Sequence, residues 1–241
     1  MIIQESLFPE IFEETRNKAR EKSKEKWLEQ KSKIFGLEYC HNATFSGKYG
    51  IPLIKSYTGT IPEEYITFGD INPVGNSHCC VTGFDHDFII DKLWDKPESY
   101  VATLSRYMCI TDPDYSLKAN HPLCVQIANT YRSHAIAFYM QEHSVPVLPS
   151  MSWSSTQSYE FCFDGHSKGG AVIVSTIGTL KNEKTRMYFR RGFEEMLMRI
   201  SPDAVILYGD VNDELLSWMP KQLDVHHFDH QRFKRARKDG R

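Results

Sequence analysis

Aspartate and serine recur where the chain turns after apolar runs, and this recurrence is the first chemical signal in the sequence. Asp85 and Asp87 follow Cys79 to Phe84, Asp112, Asp114 and Ser116 follow Tyr107 to Thr111, and Ser150 and Trp153 follow Val145 to Pro149. Asp164 follows Tyr159 to Phe163, Ser175 and Thr176 close the run from Ala171, and Tyr208 with Asp210 closes the run from Ala204. Lys55 and Tyr57 end an earlier run that starts at Ile51. In parallel α/β folds the carboxyl ends of the strands meet on one face, where ligands and catalytic side chains are placed. Carboxylates gathered there repel one another unless protons, basic partners or a divalent cation relieve them. A Mg²⁺-type site on Asp85, Asp112 and Asp114 is one such relief, since hard cations take oxygen ligands.

Within this set the Asp112-Pro113-Asp114 turn is the favoured polar pair. A proline between two aspartates fixes the backbone so that both carboxylates can leave the same strand end, where they could serve as acid/base or metal-binding groups. Asp164 would complete the polar set. Asn129 and Arg132 are three apart on an expected helix and so share a face, where the guanidinium could hold an anionic group or brace Asp112 or Asp114. Trp153 could stack on a flat ligand or pack as a core aromatic. Lys55, Ser175 and Tyr208 are the remaining candidate substrate contacts. Aspartate and serine also begin turns and cap helices, a structural role that Asp87, just before Phe88, could fill by itself.

The elements that must position these residues follow from periodicity. After Asn76 a short apolar run, a polar turn and a helical pattern recur, which is the mark of βα units. Helical spacing covers Phe88 to Trp94, a segment from Pro97, Val125 to Phe138 behind Pro122, and Phe189 to Ile200. The expected fold class is α/β, a largely parallel sheet of repeated βα units compatible with a closed or incomplete TIM-like barrel. Asp85, Asp112, Pro149, Ser175 and Tyr208 should then lie at one end of the sheet. Residues 10–33, which lack Gly and Pro, are expected as a peripheral basic amphipathic helix, and residues 225–241 as a basic tail.

Composition limits the alternatives. With 241 residues, 41% apolar and 25% charged, the chain is expected to form one globular α/β domain over 1–241. No apolar run approaches the roughly 18 residues of a membrane-spanning helix, and MIIQESLFPEIFEE lacks a cationic lead, so a cytoplasmic protein is expected. The six cysteines include no CxxC, and the ten histidines include no HExxH, which argues against a disulfide framework or a zinc site. GxGxxG and Walker patterns are absent too, and DGHSKGG precedes a strand where a phosphate loop would follow one. Charge is uneven: residues 16–33 hold eight Lys or Arg against three Glu, and residues 232–241 hold six against one Asp, around an acidic body. Basic ends can gather nucleic-acid phosphate, or simply solvate the termini.

The ordered series YGIPLIKSY, FDHDFIIDKLWDKPESY, ITDPDYSL, ANTYRSHAIAFYMQ, VPVLPSMSW, SYEFCFDG, VSTIGTLK and ILYGDV resembles the bacterial and phage family termed domain of unknown function 4417, over about residues 49–210. The family texture matches Leu93 to Pro97, Thr111 to Ser116, Asn129 to Arg132 and Phe163 to Gly165. The resemblance implies a passenger of phages or mobile elements, concerned with nucleic-acid metabolism or host interference, and supplies no catalytic assignment. The leading expectation is an enzyme, a hydrolase or transferase acting on a phosphorylated or nucleotide-like substrate. The alternative is a non-catalytic accessory protein that binds nucleic acid or a host protein.

Overall fold

The computed structural model describes residue 13, residues 17–25 and residues 35–229. The chain divides into two compact units, Met1–His41 and Asn42–Arg241. In the first, residues 17–25 (α1) are helical with exposed side chains, and Leu37–Tyr39 forms a 3-10 turn. The rest of the basic helix expected over 10–33, residue 13 apart, lies outside the described residues.

The second unit opens with an antiparallel pair, β1 (Phe45–Ser46) and β2 (Ile51–Pro52). Four parallel strands follow in chain order, β3 (Glu64–Thr67), β4 (Cys79–Thr82), β5 (Cys109–Thr111) and β6 (Val147–Leu148). A second parallel sheet holds β7 (Ala171–Ser175), β8 (Ala204–Tyr208) and β9 (Asp224–Phe228). A parallel bridge between Ser150 and Ile173 gives the two sheets the same sense. Parallel neighbours need crossovers, and helices supply most of them. These are α2 (Asp87–Asp95) and α3 (Glu98–Leu104) between β4 and β5, α4 (Leu123–Glu142) before β6, α5 (Glu183–Ile200) before β8, and α6 (Asp213–Ser217) before β9. Asp85, Asp112, Pro149, Ser175 and Tyr208 therefore all follow or close strands at one end.

Strand period explains the packing. Tyr65, Cys80, Cys109, Leu148, Ile173, Ile206 and Tyr208 turn to one side and form a single buried cluster, with Phe228 packed against it. Val172, Val174, Val205 and Leu207 turn to the other side and meet Phe189, Phe193, Met196 and Ile200 of α5. Because both faces of β7 and β8 are covered, AVIVS and AVILY are continuous apolar runs rather than alternating ones.

Several elements differ from the sequence expectation. No closed barrel is formed among the described residues: β3 and β9 are edge strands with no ladder between them. Tyr159 to Phe163, expected as extended, lies in a 3-10 turn over Thr156–Glu160 and the turns after it. Local bonds decide this, since the Ser158 hydroxyl accepts from the Ser154 N–H and donates to the Ser155 carbonyl. β3 and β9 were not expected, because their flanking acids and histidines hide the strand pattern. Residues 225–228 of the segment expected as a basic tail belong to β9, and residues 230–241 lie outside the described residues.

Ile206→Ala should cost about 2–5 kcal/mol in urea denaturation, because Ile206 is fully buried between strands. Met198→Ala, at a side chain 70% exposed on α5, should stay within about 0.5 kcal/mol. Equal losses would contradict the two-layer packing.

Candidate functional site

β5 and β6 are hydrogen-bonded neighbours, so the segments leaving them run side by side: Asp112-Pro113-Asp114 from one, Ser150-Met151-Ser152-Trp153-Ser154 from the other. The Ser150 N–H donates to Asp112 Oδ1, and two residues on the Ser152 hydroxyl donates to Asp114 Oδ1. After two more residues the Ser154 hydroxyl donates to Gln126 Oε1 at 2.6 Å. From α4, the Ser133 hydroxyl lies 2.9 Å from Asp112 Oδ2 and 2.6 Å from the Pro113 carbonyl, both acceptors for its single proton. Gln126, Thr130 and Ser133 are at helical spacing, so α4 sends a buried polar stripe toward this loop. Gly83 permits the approach, since a Cβ there would lie 2.7 Å from the Asp112 carbonyl oxygen and 2.8 Å from Pro113 Cα.

The two aspartates are not equivalent. Asp112 is almost wholly buried, 2% exposed. Burial pushes it up to about 6, and the Ser150 N–H and the Ser133 hydroxyl hold it from going higher by favouring the anion. Asp114 keeps some solvent contact but is ringed by protein. Burial pushes it up to about 7, with the charges of Asp112 and Asp87 adding to the rise and the Ser152 hydroxyl opposing it. A carboxyl group that titrates near neutrality is suited to give and take protons.

Asp114 lies in the lining of a cleft of about 700 Å³ together with Ser152, Trp153 and Ser175. Tyr188 and Phe189 of α5 line it as well, and Lys118 and Lys184 bring positive charge. Trp153 donates from Nε1 to the Tyr188 carbonyl at 3.1 Å and packs 5.5 Å from the Phe189 ring. Gly192 makes that seat possible, because a Cβ on it would lie 2.1 Å from Trp153 Nε1.

The other sequence-predicted residues go elsewhere. Lys55 lines a separate cleft of about 520 Å³ with Met108, Val145 and Val147, at the opposite ends of β5 and β6, and its backbone is held by Gln141. Tyr208 is fully buried between Phe84 and Phe228, so it is core, not a ligand contact. Arg132 neither faces the cleft nor braces Asp112 or Asp114. It pairs with Asp91 at 2.5 Å and lies over the Trp94 and Tyr115 rings at 4.8 and 4.1 Å. Asn129 donates to the Ser116 carbonyl at 2.9 Å and so pins the loop after Asp114. Asp164 sits against Gly47 of the β1–β2 turn, outside the cleft lining, its carboxyl raised by burial against the opposing pull of Arg199.

The expected cation triad is not assembled. Asp85 accepts from the Gly69 and His86 N–H groups, and Asp112 is taken up by Ser150 and Ser133. Among the described residues, no group of three or more His, Cys, Asp or Glu is placed to hold a metal ion. Sequence reasoning missed Ser133, Ser152, His134, His166, Lys118, Lys184 and Tyr188. One signal could have found the serines: D-x-D after one strand and S-x-S-x-S after its neighbour share the period of two of extended chain.

The profile of the family described as Domain of unknown function (DUF4417) matches residues 43–228. The chain belongs to this family. It is 27% identical over 188 residues to the "Gene 1 protein" of Mycobacterium phage D29, covering 76% of this chain and 68% of that protein. It is 30% identical over 128 residues to the "Gene 1 protein" of Mycobacterium phage L5, covering 53% of this chain and 56% of that protein. No solved structure matches significantly. The DUF4417 chain is thus related to phage proteins, and among its described residues no helix is long and apolar enough to cross a membrane.

The raised carboxyls predict a pH signature. A pKa higher in the folded than in the unfolded chain favours folding below it, so this contribution is present in acid and is lost as pH rises through about 6 for Asp112 and about 7 for Asp114. His134 acts oppositely: burial lowers it to about 4, so its share of stability is lost as pH falls from the unfolded value toward that point. Asp114→Asn should therefore gain stability relative to the unmodified protein between pH 5 and pH 8, in roughly the range of the handover. Guanidinium melts at both pH values test it, and a pH-independent difference would contradict the raised carboxyl.

Proposed function

We propose that this DUF4417 protein is an enzyme, a hydrolase or transferase acting on a phosphorylated or nucleotide-like substrate in the cleft at the strand C-terminal ends. The observation that carries the reading is a near-neutral carboxyl, Asp114, in a cleft of about 700 Å³ that also holds two lysines and two large aromatics. Asp114 acts as general acid or base, and Asp112 holds the turn beneath it. Lys118 and Lys184 attract the anionic group, since an ammonium binds phosphate as a point charge. Trp153 and Tyr188 offer flat apolar surface to a base. A partly protonated Asp114 repels such an anion less than a fixed carboxylate would.

The reading also takes the two parallel sheets as parts of an incomplete TIM-like barrel. Side chains of both sheets share one interior cluster, and the Tyr65 and Phe228 rings on β3 and β9 lie 4.4 Å apart. It puts the activity in the cytoplasm, where nucleotide-like substrates are available, and gives Asp164, Lys55 and Tyr208 no part in the chemistry. The relatives are phage proteins, which favours nucleotide or nucleic-acid chemistry over central metabolism.

Calorimetric titration with nucleoside monophosphates, nucleoside diphosphates and sugar phosphates tests the proposal. Lys184→Ala should weaken binding roughly tenfold, equivalent to about 1.4 kcal/mol. Asp114→Asn should leave binding within about threefold and lower turnover by about 10²–10⁴-fold. If no phosphorylated compound binds at millimolar concentration while mixed-sequence DNA or RNA binds with a steep salt dependence that is lost without residues 232–241, the protein is instead an accessory nucleic-acid binder.

A further inference from the structure

Asp114, Leu117 and Ser152 line the cleft on one side and, on the other, a much smaller space of about 20 Å³. Asp112, Ser133, His134 and His166 also border this space. One water molecule needs ~10–15 Å³ measured in this way and two to four polar partners. Most polar groups around it are already engaged within the protein. Ser133 and Ser152 bond the aspartates, Thr130 donates to the Gln126 carbonyl, Asn129 donates to the Ser116 carbonyl, and His134 Nδ1 donates to the Pro52 carbonyl at 3.0 Å.

His166 is the exception. Both of its ring nitrogens are shut off from solvent, and neither meets a protein hydrogen-bond partner. The carbonyls of Phe163, Asp164 and Ser150 are near enough to favour its charged form, without hydrogen-bond geometry to the ring. The His166 and His134 rings pack edge to face with centroids 4.3 Å apart. Buried imidazole nitrogens are rarely left unpaired, because desolvation is then uncompensated.

We propose that this space binds one water molecule, which hydrogen-bonds His166 and the Asp112–Asp114 pair and makes His166 a positioning residue for the Asp114 carboxyl. A neutral imidazole offers one donor and one acceptor, and a carboxyl group has lone pairs beyond those its serines use, so a single water can satisfy both. The remaining titratable groups around the pair are His134, Asp87, Tyr115 and Cys162, with Lys118 and Lys184 on the cleft side; burial pushes the Tyr115 hydroxyl up and the Cys162 thiol up to about 12, so both stay neutral. Through the water, His166 helps to keep the Asp114 anion accessible, since an O–H donated to a carboxylate favours the charged form. This inference rests on the reading of Asp114 as the proton-handling group.

The test is the titration of Asp114 followed by carbon-13 NMR of protein labelled at the aspartate carboxyl carbon, with Asp114→Asn used to assign the signal. His166→Phe keeps the bulk of the ring and removes both nitrogens, and should raise the Asp114 midpoint by about one pH unit. His166→Gln, which retains a polar group, should move it less. An unchanged midpoint in a folded His166→Phe protein overturns the proposal. If that variant does not fold, a crystal structure of the unmodified protein at a resolution that shows ordered waters decides: density bonded to His166 and an aspartate supports it, and an empty or side-chain-filled space overturns it. Neither readout uses a substrate, so failure of the enzymatic reading would appear separately, as absent ligand binding with the water and the shifted titration intact.

Discussion

Asp112 is a carboxyl group placed where two parallel strands end, almost wholly out of water, and the surrounding structure is arranged around satisfying it. A buried carboxyl without partners is unfavourable enough to unfold a marginal domain, so its donors are obligatory. One comes from the backbone of Ser150 and the other from Ser133 of α4. The first fixes the register of the segment after β6 against the segment after β5. The second fixes α4 against both. With that register set, Ser152 falls opposite Asp114 and Ser154 opposite Gln126, and Trp153 is turned to the other side, toward α5.

The same burial acts in opposite senses on the two kinds of titratable group behind the cleft. It raises Asp112 and Asp114 and lowers His134 and His166, because in each case the charged form loses its hydration. The cluster is therefore rich in polar groups and poor in net charge. That combination is compatible with an anionic ligand in a cleft whose only acidic lining residue, among the described residues, is Asp114.

The supports around the cleft are structural in a way that residue types alone disguise. Arg132 looks like an anion binder, yet its guanidinium is committed to Asp91 and lies over Trp94 and Tyr115, which ties α4 to α2 and to the turn after β5. Gly192 looks like a weak point in α5, yet it is the notch that receives the Trp153 ring. In both cases a side chain far along the chain gives the residue its role.

What the sequence by itself determined was the class of fold and which polar residues close its strands. The runs AVIVS and AVILY and the helical spacing of Phe189 to Ile200 specify buried parallel strands and a packed helix, because burial on both faces demands continuous apolar residues. The aspartates after β5 and Trp153 and Ser175 after their strands were legible for the same reason, as polar residues at strand ends. Short range was the limit. Which strand ends share a cleft depends on register, on strand order and on which end of the sheet each loop meets, and these are set by contacts between residues distant in sequence. Lys55 went to the opposite face, Tyr208 into the core and Asp164 to the β1–β2 turn. His134 and His166, unremarkable in the sequence, became neighbours across 31 intervening positions only when α4 packed beside the turn after Phe163, with ring centroids 4.3 Å apart. Periodicity records which way a side chain turns on its own element, whereas tertiary packing decides what it meets there.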